Sequence, residues 1–430
     1  MFPFRAALAV VAATSLTFPP AHTPRANRSH ADARASAKPR CAPDNGGLTL
    51  PAGFCALVVA DNLGQPRHLT VLSNGDIVAS SQRAGVIVLR DTSGDGRADI
   101  VKEWGGGYRS SEVVLHGGYL YVDATTAILR YPFTVGSLTP SGPADTLISG
   151  LPGNGHSAKP FVIADDGTLY MNIGSGTNSC QKTDRQLEIP GNDPCVERTT
   201  RAGIWAFRTD RVNQHPSDGV HFGTGIRNAM GMAIHPGDKT LFVTQHGRDQ
   251  LAQNWPKLFD EAKSAETPAE ELFNVTRGDD FGWPYCYYDR QIGRKVLAPE
   301  YGGDGKTVGR CASMKGNVAS FPGHWAPNGL LFYTGAMFPA KYRNGAFIAF
   351  HGSWNRAPLP QAGYNIVFQP LNGDKAAGDF EVFATGFKPA EGTTGTLRRP
   401  TGLATGPDGS LYIGDDASGR IWRVMYTGPR

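Results

Sequence analysis

Short runs of alternating large and small or polar residues recur along this chain, and six of them open with a glycine turn. They read NGDIVAS (74–80), GGYLYVDA (117–124), DDGTLYMNIG (165–174), GDKTLFVTQHG (237–247), RNGAFIAFHG (343–352) and PDGSLYIGDD (407–416). Alternation of period two sends successive side chains to opposite faces of a sheet. Several copies follow a second apolar run (RHLTVLS, KPFVIAD, MGMAIHP, RPTGLATGP), so the repeated unit is a hairpin. Such a hairpin cannot bury both faces alone, and the closest copies are about 45 residues apart, the length of one four-stranded propeller blade. A two-sheet sandwich would explain the alternation but not the repeat. The pattern therefore predicts an all-β chain folded as a six-bladed β-propeller with loop and helix insertions. FCALVVADN (54–62) is expected to complete the last blade beside RIWRVMY (420–426). The largest insertion, about 250–330, is expected to carry a helix across NWPKLFDEAKSAETPAEEL (254–272).

Composition agrees with many turns. The 430 residues include 54 Gly and 31 Pro, and only 19% are charged against 40% hydrophobic. That is too apolar for a disordered chain and too turn-rich for a helical bundle. The formal charge of +4 is misleading, because residues 1–40 hold six bases (Arg5, Arg25, Arg28, Arg34, Lys38, Arg40) against one acid, Asp32. The remainder is nearly neutral, without the clustered Lys/Arg face of a nucleic-acid binder.

The N-terminus has a basic Arg5 and then a short apolar run, Ala6 to Leu16. This is the layout of a secretory signal and falls short of the roughly 20 residues that span a bilayer. Residues 1–22 are expected to be a signal peptide, 23–40 a flexible leader and 41–430 a single propeller domain. No later apolar segment is long enough for a membrane span. All six cysteines lie beyond residue 40 in three sequence-local pairs, and an even count in an exported chain favours disulfides over thiols. Locality predicts Cys41–Cys55, Cys180–Cys195 and Cys286–Cys311. A periplasmic or secreted location is expected.

Propellers hold ligands near the axis, so polar residues flanking the repeated hairpins are the candidates for chemistry. His156 stands directly ahead of one apolar strand and is a candidate general base. Arg227 and Asn228 hold the corresponding place in the next blade, where they suit a planar carboxylate or carbonyl. The turn His246, Gly247, Arg248, Asp249 offers oxygens for a hard cation, or is an ordinary hairpin. His324, His351, Trp354 and Arg356 follow, and Arg398 and Arg399 precede the last blade. Basic groups from separate blades, pointed at one axis, would require an anion there. A second metal site is conceivable in DTSGDGRAD (91–99), where Asp91, Ser93, Asp95 and Asp99 follow a calcium-loop rhythm. Its twelfth position is Lys102 instead of Glu, so a solvated hairpin is the equal alternative.

Together, HSAKPFVIADDGTLY, GIRNAMGMAIHP, QHGRDQL, FGWPYCYYD, HGSWNR and RRPTGLATGPDGSLYIGDD resemble the PQQ-dependent glucose/sorbosone dehydrogenase family, and its L-sorbosone dehydrogenase-like branch in particular. The resemblance spans residues 45–428 in order. It implies a soluble quinoprotein that oxidises CH–OH groups of aldose or sorbosone-type sugars, with pyrroloquinoline quinone (PQQ) over the axis and Ca²⁺ beside it. On that resemblance His156 is the base that takes the hydroxyl proton while hydride passes to the quinone. Arg227, Asn228, His246, Asp249, His324, Arg356, Arg398 and Arg399 are cofactor contacts, and Gly247 and Arg248 give backbone carbonyls to calcium. The glucose dehydrogenase branch has glutamine where His246 falls and a cofactor lysine where Arg356 is the nearest match. With no C-x-x-C-H haem site, electrons are expected to leave to a separate acceptor. The alternatives are a calcium-dependent propeller lactonase or hydrolase, which would want several carboxylates on one metal, and a non-catalytic binding propeller.

Overall fold

The computed structural model describes residues 38–389 and 395–429. The expected signal peptide and most of the expected leader lie outside the described residues. Each repeated hairpin is the second strand of a four-stranded antiparallel meander. Innermost strands run Pro66–Val71, Val113–His116, Phe161–Ile163, Ala229–Ile234, Pro327–Phe332 and Pro400–Thr405, and the glycine phrases form the strands that follow them. Six sheets arranged in this way make a six-bladed β-propeller. Blade three gains a parallel partner, Asp279–Asp280, and the 250–330 insertion carries a hairpin of Cys286–Asp289 and Arg294–Leu297.

The ring closes as the terminal strands predict. Phe54–Ala60 pairs antiparallel with Arg420–Tyr426, Phe54 opposite Tyr426, so the first strand is the outer strand of the last sheet. Apolar faces meet between blades. One cluster joins blades five and six through Phe347, Phe383, Ile413 and Trp422, and comparable clusters fill the other five interfaces. The alternation read in the sequence is therefore buried on both faces. In Gly345–Phe350 all six residues are buried.

Four innermost strands carry a register shift at their start: Pro66/Leu69, Ala229/Met232, Pro327/Gly329 and Pro400/Leu403. A bulge of this kind bends the strand and re-aims the side chains beside it. The recurring bulges lie at the same end of each blade, and the site residues lie next to them.

The expected helix across 254–272 is not formed as one element. Two short helices, Leu251–Asn254 and Glu261–Glu266, are separated by a turn containing Pro256, and the chain then enters the buried strand Glu270–Val275. Pro256 and Pro268 interrupt the helical ladder. Glu270 and Glu271, within the expected helix, instead lie in a strand of blade four and accept hydrogen bonds there. All three expected disulfides are formed. Cys41–Cys55 tethers the segment ahead of the closing strand, and the other two brace the loops flanking the site. In the chain-entropy account, loops of about 15 residues contribute about 3 kcal/mol each.

Candidate active site

His156 lies in the loop Pro152–Ser157, which enters blade three. Its Nδ1 is 2.8 Å from the carbonyl oxygen of Ser175 and 3.0 Å from the Ser175 hydroxyl. A carbonyl only accepts, so Nδ1 carries the hydrogen and Nε2 keeps its lone pair. Burial, and then the charge of Arg227, push this imidazole down to about 3, so it is neutral through the physiological range. Gly174 makes room for it, since a Cβ there would meet His156 Cβ at 2.6 Å and Asn228 Oδ1 at 2.7 Å.

Arg227 is buried and its guanidinium is taken up by the protein. It donates from Nε to Asn178 O (3.1 Å), from Nη1 to Gly247 O (2.9 Å), and from Nη2 to Asn178 Oδ1 and Asp249 Oδ2 (3.0 Å each). Asp249 also accepts from Arg185 and from Asn355 Nδ2. Burial opposes ionisation of Asp249, but Arg227, His324 and Arg185 hold its carboxyl well below the usual range. Arg227 and Asp249 thus brace the turn. Asn228 remains at the site: its Oδ1 accepts from Asn172, and its Nδ2 has no hydrogen-bond partner among the described residues. His246 follows it, with a buried Nε2 that lacks a partner and an imidazole pushed down to about 3 by burial and by Arg227.

From the opposite side comes a group the sequence reading did not single out. Arg67 donates from Nη1 to Asp416 Oδ2 (2.5 Å), and Asp416 Oδ1 lies 2.7 Å from His351 Nε2. Burial disfavours the Asp416 carboxylate, but His351 and Arg67 outweigh it and hold the carboxyl well below its ordinary value. Arg399 donates from Nε to His351 O (3.0 Å) and from Nη2 to Gly352 O (2.5 Å), leaving Nη1 without a partner among the described residues. Arg67 Nε is buried and likewise unpartnered. Arg67 stands at the start of its innermost strand, close to the place that Arg227 and Arg399 hold just ahead of theirs, and this shared register was the available signal.

Three expected contacts point elsewhere. Arg398 lies over the Trp422 ring, 5.9 Å from its centroid, and its buried Nε has no hydrogen-bond partner among the described residues. Arg356 is buried against the insertion, donating to Ala265 O, Gly323 O, Pro360 O and the Glu266 carboxylate. His324 is pinned by Ser264 O at 2.8 Å from Nε2, with Asn355 Nδ2 3.3 Å from Nδ1. The Arg248 side chain pairs with Glu300 inside the insertion. In the 91–99 loop, Asp91 accepts from the backbone of Gly94 and Gly96, and Asp99 from Thr92 and Ser93. The carboxylates of Asp91, Asp95 and Asp99 do not converge within 4.8 Å of one another. They cap their own turn.

Two open spaces adjoin this cluster. A cavity of about 240 Å³ runs between the innermost strands, where His68 Nδ1 meets Glu112 Oε2 at 2.6 Å and His68 Nε2 meets Asn328 O at 2.7 Å. Both nitrogens face acceptors, so this ring is an imidazolium; burial opposes that charge but Glu112 prevails and raises its pKa. A second cavity, about 750 Å³, opens laterally from Arg67 past Gln82, Arg83, Tyr108 and Arg109 to Asp123, Ser157 and Ala158.

Comparison with known proteins places these features in context. A profile of the family described as TrAA12-like matches residues 48–427. The chain is 24% identical over 443 aligned residues to a pyrroloquinoline quinone-dependent pyranose dehydrogenase of Coprinopsis cinerea, covering 90% of this chain and 53% of that protein. It is 24% identical over 276 residues to an aldose sugar dehydrogenase of Escherichia coli, covering 60% and 57%. The chain spans about half the length of the curated relatives it matches, 48% of an uncharacterized protein of Borreliella burgdorferi to which it is 30% identical over 204 residues, and 53% of the Coprinopsis enzyme. Among solved structures, the holo PQQ domain of the Coprinopsis pyranose dehydrogenase superposes with a TM-score of 0.71 at 20% identity, over 90% of this chain and 98% of that one. A calcium structure of the Trichoderma reesei family AA12 enzyme gives 0.72 at 16% identity, over 91% and 99%. These likenesses establish the propeller fold.

Proposed function

The chain belongs to the TrAA12-like family, and on that premise we propose that it is a PQQ-dependent sugar dehydrogenase in which His156 is the base. The observation that carries this is the protonation state of His156: Nδ1–H bound to Ser175 O, Nε2 bare, beside polar groups that lack partners. Relatives of this fold are a pyranose dehydrogenase and aldose sugar dehydrogenases, which supports sugar CH–OH as the group oxidised.

The residues present fit a polycarboxylated quinone. Arg67 Nε is buried without a partner among the described residues, and Arg399 Nη1 and Asn228 Nδ2 are unengaged, three donors that suit carboxylate and carbonyl oxygens; His246 Nε2 is a buried, unpartnered ring nitrogen beside them. Arg67, Asn228, His246 and Arg399 would hold the quinone. Arg227, Arg356 and His324 are left out of that set because their side chains are engaged elsewhere, and Arg398, whose Nε is likewise unpartnered among the described residues, because it lies against Trp422. When bound, PQQ supplies a two-electron acceptor for the hydride of the substrate's carbinol carbon. The chain's own part is acid–base and electrostatic. Nε2 of His156 accepts the hydroxyl proton as the C–O bond becomes a carbonyl, and Ser175 O steadies the resulting imidazolium through Nδ1–H. General-base assistance of this kind contributes about 10²–10⁴-fold.

The turn at Gly247 and Arg248 offers calcium two carbonyls, and that of Gly247 already accepts from the Arg227 guanidinium. The Asp249 carboxylate is engaged by Arg227, Arg185 and Asn355, and burial raises Glu270 to about 8. A hard dication takes six to eight oxygens, usually including carboxylates. On these contacts the turn alone does not present the oxygens that calcium takes. Calcium titrated calorimetrically into quinone-free protein is expected to give no saturable binding at micromolar concentrations. A micromolar site abolished by Arg248→Pro or Gly247→Ala would contradict this.

Addition of PQQ to purified protein tests the main reading. The expected result is a bound-quinone spectrum and sugar-dependent dye reduction; lactone hydrolysis without PQQ would replace it with the hydrolase alternative. A second expected outcome concerns pH. Protonation of Nε2 removes the lone pair, and its pKa is held near 3, so kcat/KM should not fall as pH drops from 8 to 5. An acidic limb centred near 6.5 would show the imidazole titrating at its ordinary value. The disulfides suit an oxidising compartment, in keeping with an exported protein.

A further inference from the structure

The lateral cavity carries charge that the proposed oxidation does not use. Arg83 lies in the turn leading out of blade one's second strand, and Arg109 in the connection between blades one and two. Both are exposed, and neither guanidinium has a hydrogen-bond or ion-pair partner among the described residues. They line the same cavity of about 750 Å³ as Arg67, whose head group belongs to the axial cluster, and as Ser157 and Ala158, which adjoin the base His156. One acid faces this space, Asp123. Burial raises its pKa, and its Oδ1 already accepts from Ser110 Oγ and from the Ser111 and Glu112 amides.

A pocket for a neutral sugar would offer amides, carboxylates and aromatic faces to hydroxyl groups. This lining has one ring, Tyr108, one side-chain amide, Gln82, the hydroxyls of Ser111, Thr125, Thr126 and Ser157, and two guanidiniums free of partners among the described residues, Arg83 and Arg109, against a single engaged acid. Forked guanidinium donors match the paired oxygens of a carboxylate, and the volume lies in the range of small-molecule pockets, about 300–1,000 Å³. We infer that the lateral cavity selects a sugar bearing a carboxylate, a hexuronate, its acidic group held by Arg83 and Arg109 while its oxidised hydroxyl reaches His156. This rests on the reading of the axial centre as a sugar dehydrogenase. The quinone's own carboxylates are the competing source of the same chemistry, and Arg67 and Arg399 are assigned to them because those two sit in the axial cluster.

Calorimetric titration of D-glucuronate, D-glucose and D-glucose 6-phosphate into PQQ-loaded protein tests the inference, whatever the rate of dye reduction. Glucuronate is expected to bind at least about tenfold more tightly than glucose. The preference should disappear in Arg83→Ala/Arg109→Ala and shrink in 0.5 M NaCl. Because both side chains are exposed, the double variant should keep its thermal unfolding temperature and its affinity for PQQ, read from quinone absorbance. Equal binding of glucuronate and glucose, or no binding of glucuronate, overturns the inference. Tight binding of the phosphate alone overturns the carboxylate assignment. Loss of PQQ affinity in the double variant would transfer these arginines to the cofactor and overturn it as well. Failure of the dehydrogenase reading is separately visible, as absence of PQQ uptake by the unmodified protein.

Discussion

Replacing His156 with alanine is expected to lower turnover about 10²–10⁴-fold while PQQ uptake stays intact. The side chain contributes one unpartnered Nε2, and its other nitrogen serves only to fix the tautomer through Ser175 O. Its removal therefore deletes the proton acceptor without disturbing Arg67, Asn228, His246 or Arg399. The variant should show the quinone spectrum of the parent and a kcat that exogenous imidazole partly restores. Normal turnover of a PQQ-loaded His156→Ala protein would remove the residue from the mechanism. A lost quinone spectrum would make it a cofactor contact instead.

The second large effect concerns stability. Asp249→Ala leaves Arg227 buried without its carboxylate and Arg185 without one of its partners. Breaking a buried ion pair from one side costs about 3–5 kcal/mol, so denaturant unfolding should shift by that order. The pH dependence has a defined sign. The folded pKa of Asp249 lies below its unfolded value, so its contribution is complete above about pH 4 and is lost as pH falls further toward the folded value. Asp249→Asn, which keeps an acceptor but not the charge, should fall between parent and Ala. A loss under about 1 kcal/mol for the alanine variant would mean that the Arg227 guanidinium finds solvent.

Much of the fold was legible because its repeat is local. Each glycine phrase became the second strand of a blade, and each apolar run ahead of one became an innermost strand, because period two and turn chemistry act within ten residues. The closing strand was legible for the same reason. The expected helix across 254–272 was not, since its apolar spacing gave no notice that Glu270 and Glu271 are buried and hydrogen-bonded within a sheet. At the site the positions were visible but the directions were not. Arg398 and Arg399 are adjacent in sequence, yet one lies against Trp422 and the other donates to the carbonyls of His351 and Gly352. Arg227 and Arg356 occupy suitable registers, yet each meets enough carbonyls and carboxylates to become a brace. Asp416 joins Arg67 across 349 residues only because the ring closes. No local pattern could disclose that pair.

The closure in which Phe54–Ala60 completes the sheet of Arg420–Tyr426 also constrains biosynthesis. Blades one to five can form in the order in which they are translated, each from contiguous chain. The sixth cannot, because it needs the earliest strand and the last. Until Arg420–Tyr426 is available, the closing strand has an unpaired edge and both neighbouring blades present an uncovered apolar face. The Arg67–Asp416 pair is assembled at that same moment. The chain can therefore acquire most of its secondary structure before Arg420–Tyr426 is made, but the closed ring and the Arg67–Asp416 pair come only afterwards.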